Sequence, residues 1–171
     1  MVLALLGEPP DDGLDPALRD AIAAGALAWA GRAGRPFSLD GIDDVAAALG
    51  GHDGPLLLVA GDVPRLDDEL AAAALGDLAA GCVLSFAPAT DGKPFLVALS
   101  SAHRELLDLF RGERSRESVF ARTMALGGEV GLLRSERRVV TPADARALAL
   151  DPMVPEALRA LAARHEPPSP A

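Results

Sequence analysis

Asp62 stands at the end of an unbroken apolar run, Leu56-Leu57-Leu58-Val59-Ala60-Gly61, and is followed by Val63 and Pro64. A carboxylate in that position has two uses. It can hold a divalent cation beside phosphate oxygens, because Mg²⁺ is bound through one or two protein carboxylates while substrate and water complete its shell. Equally, it can accept backbone amide protons in the turn that begins there. Further along, Thr90-Asp91-Gly92-Lys93 is a turn sequence in which Gly92 suits a positive φ and the close approach of a ligand. Lys93, the single lysine of the chain, is either a ligand contact or a solvated turn charge. Arg138, in the stretch 137–140, reads from the residues alone as an exposed strand-end arginine.

Other chemistries have thinner support. His52, His103 and His165 show no paired metal spacing, and no serine lies in a nucleophile-elbow pattern. The one cysteine, Cys82, has no internal disulfide partner and falls in a β-like stretch, where it reads as a small buried apolar residue. Arg111, Arg114 and Arg116 form a basic run that reads as solvated surface or as an anion contact. Trp29 lies among alanines and reads as a core or dimer-interface anchor, so a homodimer is compatible with it.

The elements that must position these residues follow from pattern and punctuation. The run Leu56–Ala60 does not alternate, as expected of a central strand covered on both faces. Val2–Leu6 is a first strand, and Asp15 with Pro16 starts a helix that continues to about Gly31 or Gly34. Residues 35–39 read as an edge strand, followed by a brief helix capped by Asp40 or Asp43 that stops at Gly50. Asp67 caps a helix that leads to a strand over 82–86, a βαβ unit, and Pro94–Leu99 is a further strand. Helices are expected over 101–111 and 117–126, and strands over 130–133 and 137–140. Thr141-Pro142 then opens one more helix, and 155–164 is the last. Alternation of this kind implies the α/β class, a three-layer sandwich with a mostly parallel central sheet.

With 171 residues, half of them apolar and 24% charged, the chain is expected to form a single domain over 1–165 with a frayed tail at 166–171. Sixteen basic against 25 acidic residues give a net charge of −9, which argues against nucleic acid as a ligand. No apolar stretch reaches the ~18–20 residues of a membrane span, and the first residues lack the basic start of a signal peptide, so a cytoplasmic protein without membrane partners is expected.

The residues Leu57-Leu58-Val59-Ala60-Gly61-Asp62-Val63-Pro64-Arg65-Leu66, then Ala87-Pro88-Ala89-Thr90-Asp91-Gly92-Lys93-Pro94 running into Phe95-Leu96-Val97-Ala98-Leu99, resemble the central block of the nucleotide-diphospho-sugar transferase superfamily, with its GT-A fold. They are most similar to a glycosyltransferase-like family that accompanies radical-SAM and selenium-domain genes. More distantly they resemble the guanylyltransferases for the molybdenum cofactor and for 2-phospho-L-lactate, which share the Asp-x-Pro element. Val139-Val140-Thr141-Pro142-Ala143-Asp144 resembles the segment that closes these domains, so the likeness covers about residues 55–150.

This resemblance implies a substrate-binding set of Asp62, Asp91, Gly92, Lys93 and Arg138, with Asp62 as metal ligand for Mg²⁺ or Mn²⁺ and a nucleotide or nucleotide-sugar as partner. The pattern also departs from the family in two places. The loop over residues 7–13 carries Glu8, Asp11 and Asp12 and no cation, where a phosphate-cradling loop is expected. In the closing segment the family's two Asp positions fall on Arg138 and Val140, leaving Asp62 a weak metal site alone and giving it a cation to pair with. Two functions follow. One is a glycosyltransferase-like or nucleotidyltransferase-like protein divergent at its phosphate and metal sites. The other is a non-catalytic relative serving as a binding or assembly partner.

Overall fold

The computed structural model describes residues 2–6, 13–39, 41–110 and 116–165. Residues 7–12 of the acidic loop expected over 7–13, the cap candidate Asp40, Arg111, Arg114 and the tail at 166–171 lie outside the described residues.

In chain order the elements are β1 (Val2–Leu6), α1 (Pro16–Ala33), β2 (Arg35–Leu39), α2 (Ile42–Leu49), β3 (Leu56–Ala60), α3 (Asp68–Ala79), β4 (Leu84–Pro88) and β5 (Pro94–Leu99). They continue with α4 (Arg104–Asp108), α5 (Arg116–Ala125), β6 (Val130–Leu132), α6 (Pro142–Ala149) and α7 (Glu156–Ala162), closed by a 3-10 turn at Ala163–His165. The strands form one sheet in the order β2-β1-β3-β5-β4-β6. Five run parallel to one another, and β5 runs against both of its neighbours. The architecture is thus the expected α/β sandwich with a mostly parallel sheet.

Every residue of β3 is buried, which is what its unbroken apolar run requires. Its odd-numbered side chains, Leu57 and Val59, pack with Leu3, Trp29 and Leu70 beneath α1 and α3. Leu56 and Leu58 point to the other face, toward Val45, Leu107 and Val119 of α2, α4 and α5. Trp29 is therefore a core residue. A third core lies beyond the strand ends, where Leu18 and Ile22 at the start of α1 meet Val139, Ala145 and Leu148.

Local chemistry sets the helix starts. The Asp15 carboxylate accepts the Ala17 amide, Asp67 accepts that of Leu70, and Thr141 with Asp144 forms a reciprocal capping box. At α2 the expected aspartate cap is replaced by Gly41, with no side-chain bond. The helix expected over 101–111 shortens to Arg104–Asp108, with Leu107 and Phe110 still buried. The β4 strand begins at Leu84, so Cys82 precedes it and is half-buried rather than enclosed. Burial, with the carboxylates of Asp77 and Glu129, pushes its thiol up and keeps it protonated. Among the described residues no helix is long and apolar enough to cross a membrane.

The direction of β5 is what shapes the functional edge. Because β4 and β5 are joined by the short turn at Thr90–Lys93 and β5 inserts between β3 and β4, Val59 of β3 pairs with Leu96 near the start of β5. The turn is thereby carried to the same end of the sheet as Asp62.

At the opposite flank, β6 approaches β4 closely at Gly131, beside the bond from Ser85 Oγ to Asp77 Oδ2 at 2.5 Å. A Cβ on Gly131 would sit 2.7 Å from Ser85 Oγ and overlap the Asp77 carboxylate. Gly131→Ala is expected to destabilise the fold by roughly 1–3 kcal/mol through overpacking. A lowered urea midpoint with unchanged slope would show it, and an unchanged midpoint would mean that α3 yields at no cost.

Candidate functional site

After β6 the chain does not form the expected strand at 137–140. It crosses the carboxyl ends of the sheet instead, stitched down one backbone bond at a time. The Leu133 amide donates to the Phe86 carbonyl at 2.9 Å, Glu136 to Pro88 at 3.3 Å, and Val139 to Asp62 at 2.9 Å, while the Thr90 amide donates back to Glu136 at 3.1 Å. This crossing brings Arg138 over the end of β3.

There Arg138 Nε donates to Asp62 Oδ1 at 2.9 Å and Nη2 to Oδ2 at 2.6 Å, a two-pronged bond that engages both carboxylate oxygens. The arginine side chain is 5% exposed and the carboxylate 22%. The resemblance anticipated this pairing by setting Arg138 where the family carries an aspartate, and a carboxylate left without a metal is costly in a half-buried place unless solvated or matched.

A second set of ion pairs continues along the same edge and was not anticipated. Buried Glu136 accepts Arg134 Nε at 3.0 Å and faces Arg65 Nη1 at 3.5 Å. Arg134 also bonds through Nη2 to Asp67 Oδ2, the oxygen that α3 leaves free when Oδ1 caps Leu70. Burial pushes the Asp67 carboxyl up, but the Arg134 bond, the Leu70 amide and the charges of Arg134 and Arg65 outweigh it and hold it below its ordinary value. The pairs Arg65–Glu136 and Asp67–Arg134 join residues 71 and 67 positions apart in sequence, so no local spacing could announce them.

The turn residues take quieter places. Gly92 has φ +82°, the left-handed conformation expected of it, and its amide donates to the Ala89 carbonyl. The Asp91 carboxylate accepts the Lys93 amide at 3.0 Å and so closes the turn on itself. Asp91 and Lys93 are exposed.

Beside Asp62 a cleft of about 200 Å³ opens between the ends of β1 and β3 and the first turns of α1. Its walls are Leu6, Leu14, Ile22, Ala23, Val139 and Val140, with the Gly61 backbone, Asp62, Arg19 and Asp20 as the polar groups. Arg19 is a further residue that sequence reasoning missed, because a charge on an alanine-rich helix looks like ordinary solvated surface.

The residues do not fit a divalent ion. Both oxygens of Asp62 are committed to a guanidinium, and among the described residues no three His, Cys, Asp or Glu side chains gather as a metal site requires. His103 pairs with Asp53 at 2.9 Å before α4, away from the cleft lining.

The fold as a whole is similar to that of solved structures. A Desulfovibrio desulfuricans G20 protein provisionally described as a nucleotide-diphospho-sugar transferase is similar over 94% of this chain and 72% of its own, with a TM-score of 0.61 and 21% identity. The fold is nucleotide-diphospho-sugar transferase-like. Also similar in this transferase-like fold is a 4-diphosphocytidyl-2C-methyl-D-erythritol synthase from Anaerococcus prevotii DSM 20548, with a TM-score of 0.55 and 11% identity over 84% of this chain and 94% of that one. A Mycobacterium tuberculosis H37Rv protein solved as a manganese complex has a TM-score of 0.51 and 15% identity, covering 85% of this chain and 95% of its own. No protein-family model matches the chain, and no curated relative matches it.

Two measurements test the electrostatics of this edge. Arg138→Leu leaves Asp62 without its cation and is expected to cost about 2–4 kcal/mol in urea unfolding, with Arg138→Lys recovering part of it because an ammonium cannot make the paired bonds. Equal stabilities for all three proteins would show that the pair contributes nothing.

A carboxyl held below its ordinary value near 3.8 adds stability that is present above that value and lost as pH falls through the lowered one. Asp67→Asn keeps a capping oxygen but removes the charge. Its deficit against the parent should therefore be full above about pH 5 and vanish in strong acid. A deficit independent of pH would assign the loss to the cap instead.

Proposed function

We propose that this chain is a glycosyltransferase-like or nucleotidyltransferase-like protein that takes a nucleotide-activated substrate at the carboxyl ends of β1 and β3, and does so without a divalent ion on Asp62. We assign it, on its sequence resemblance, to the radical-SAM-associated glycosyltransferase-like branch. The observation that carries the reading is the two-pronged Arg138–Asp62 bond, set at the strand end where open α/β sheets bind ligands. In such a site Arg138 supplies, as a fixed part of the protein, the positive charge that a metal would otherwise bring. Asp91, Gly92 and Lys93 form the rim on the substrate side, with the Lys93 ammonium free to approach an anionic group.

The same bond favours a second reading. A carboxylate spent in a buried ion pair is unavailable to a reacting phosphate, and a relative that binds its nucleotide without turning it over, as an assembly or sensing partner, would keep this arrangement.

Calorimetry against nucleotides and nucleotide-sugars, in EDTA and then in Mg²⁺ or Mn²⁺, tests the proposal. Binding is expected in EDTA and should not depend on either metal. Binding that appears only with metal would overturn the metal-independent reading, and turnover of a bound nucleotide-sugar would separate the two functions. Arg138→Asp combined with Val140→Asp should create Mn²⁺ affinity that the parent lacks, since two facing carboxylates without a competing cation make a hard-ligand site. A folded double variant with no added affinity would mean that Val140 does not face Asp62 as the reading requires.

A further inference from the structure

We infer that the free edge of β6, with the groove beside it, is the contact surface for a second copy of this chain, joined strand to strand about a two-fold axis through Gly131.

The two outer strands of the sheet treat their open edges differently. β2 is blunted: Pro36 offers no amide, and the Arg35 guanidinium lies over the Phe37 ring at 5.1 Å and covers it. β6 has neither device. Its residues, Val130-Gly131-Leu132, carry no charge and no proline, and Leu132 is 60% exposed. Beside it Phe120 and Met124, one turn apart on α5, are 48% and 53% exposed. Phe120, Leu132 and Phe86 line a groove of about 350 Å³ in which Glu117 is the polar side chain. An apolar strand edge left in this state is a template for another strand.

The backbone of β6 selects the partner. The Glu129 carbonyl accepts the Val83 amide and the Leu133 amide donates to the Phe86 carbonyl, so the odd-numbered residues turn their backbone groups toward β4. Alternation turns those of Val130 and Leu132 outward, and among the described residues no strand lies beyond them. Rotating a second copy by half a turn about Gly131 sets its Leu132 opposite Val130 and its Val130 opposite Leu132. Each of these pairs then exchanges both of its N–H···O=C bonds, as antiparallel strands do, while Gly131 meets its own copy as the pair without bonds. The strand is its own complement, which makes a closed two-fold contact available to this chain alone. Because paired side chains share a face, the two Leu132 side chains and the two grooves come together on the α5 side of the joined sheet.

Area sets the strength. Side chains of this size present roughly 150–250 Å² in full, so Phe120, Met124 and Leu132, each about half uncovered, offer about 250–350 Å² per copy. Twice that, with the strand backbone added, stays below the ~1,200–2,000 Å² of stable complexes and belongs with transient contacts. The dimer is therefore weak, with a Kd on the order of 10–100 μM.

Sedimentation velocity on the full chain, from about 1 μM to about 1 mM, tests the contact. The sedimentation coefficient should rise from that of a monomer to that of a dimer and no further. Leu132→Lys and Leu132→Glu change an exposed side chain, and circular dichroism reports whether both fold. Each variant alone should associate at least about tenfold more weakly, because like charges face one another across the axis. The two Leu132 positions are diagonal neighbours in the joined sheet, ~7–8 Å apart, so an equal mixture of the lysine and glutamate variants should associate where neither does alone. A parent that stays monomeric throughout, or a Leu132→Lys protein that associates like the parent, would overturn the assignment of this edge. A mixture that stays monomeric while the parent dimerises would overturn the two-fold register, and assembly beyond the dimer would overturn the closed pairing.

Discussion

A guanidinium taken out of water has to be answered by an oxygen anion, and the crossing segment between β6 and α6 is arranged around that requirement. Arg138 is almost wholly enclosed and finds both oxygens of Asp62. To reach them the chain must run over the ends of β4, β5 and β3 in an extended path, which its backbone bonds to Phe86, Pro88 and Asp62 fix residue by residue. Once that path is set, Val139 is delivered to the third core and Thr141 to the start of α6, so the placement of the last two helices depends on the same contact. Removing one member of such a pair is expensive, because the remaining charge stays where water reaches it poorly.

An arginine at the strand end differs in character from a metal. A bound divalent ion can leave, and its occupancy follows supply. Arg138 cannot leave, and a guanidinium keeps its charge at any pH the fold survives. The edge beside it is neutralised in the same way, with Glu136 between Arg65 and Arg134 and Asp67 closing the chain of pairs. What remains open to a ligand is the apolar cleft and the charges left loosely held around it.

Much of this was legible in the sequence wherever the determinant is local. Leu56–Ala60 announces a two-sided strand because no residue in it tolerates water, and Asp15, Asp67 and Thr141 mark helix starts because their oxygens satisfy amides two or three residues on. Gly92 could be read because its turn demands positive φ. The inversion of β5 was not legible: nothing in Pro94–Leu99 says whether it pairs outside β4 or returns between β4 and β3, since both choices bury the same side chains. The Arg65–Glu136–Arg134–Asp67 set escaped notice for a related reason, as ion pairs between distant residues leave no spacing to find. The Arg138–Asp62 pair was found because a family resemblance supplied the alignment that sequence spacing lacks.

The cleft occupies a seam. On one side are Leu6 and Gly61 at the ends of two sheet strands, and on the other are Leu14, Ile22 and Val139, which belong to the core shared by α1, α6 and α7. A molecule lodged there touches two hydrophobic cores at once and, by thermodynamic linkage, lowers the free energy of the state in which they are joined. The terminal helices are in this sense a reporter of occupancy. To the extent that α6 and α7 exchange their amides by local detachment, filling the seam is expected to slow that exchange, although neither helix carries any of the charged groups at the ends of β3 and β4.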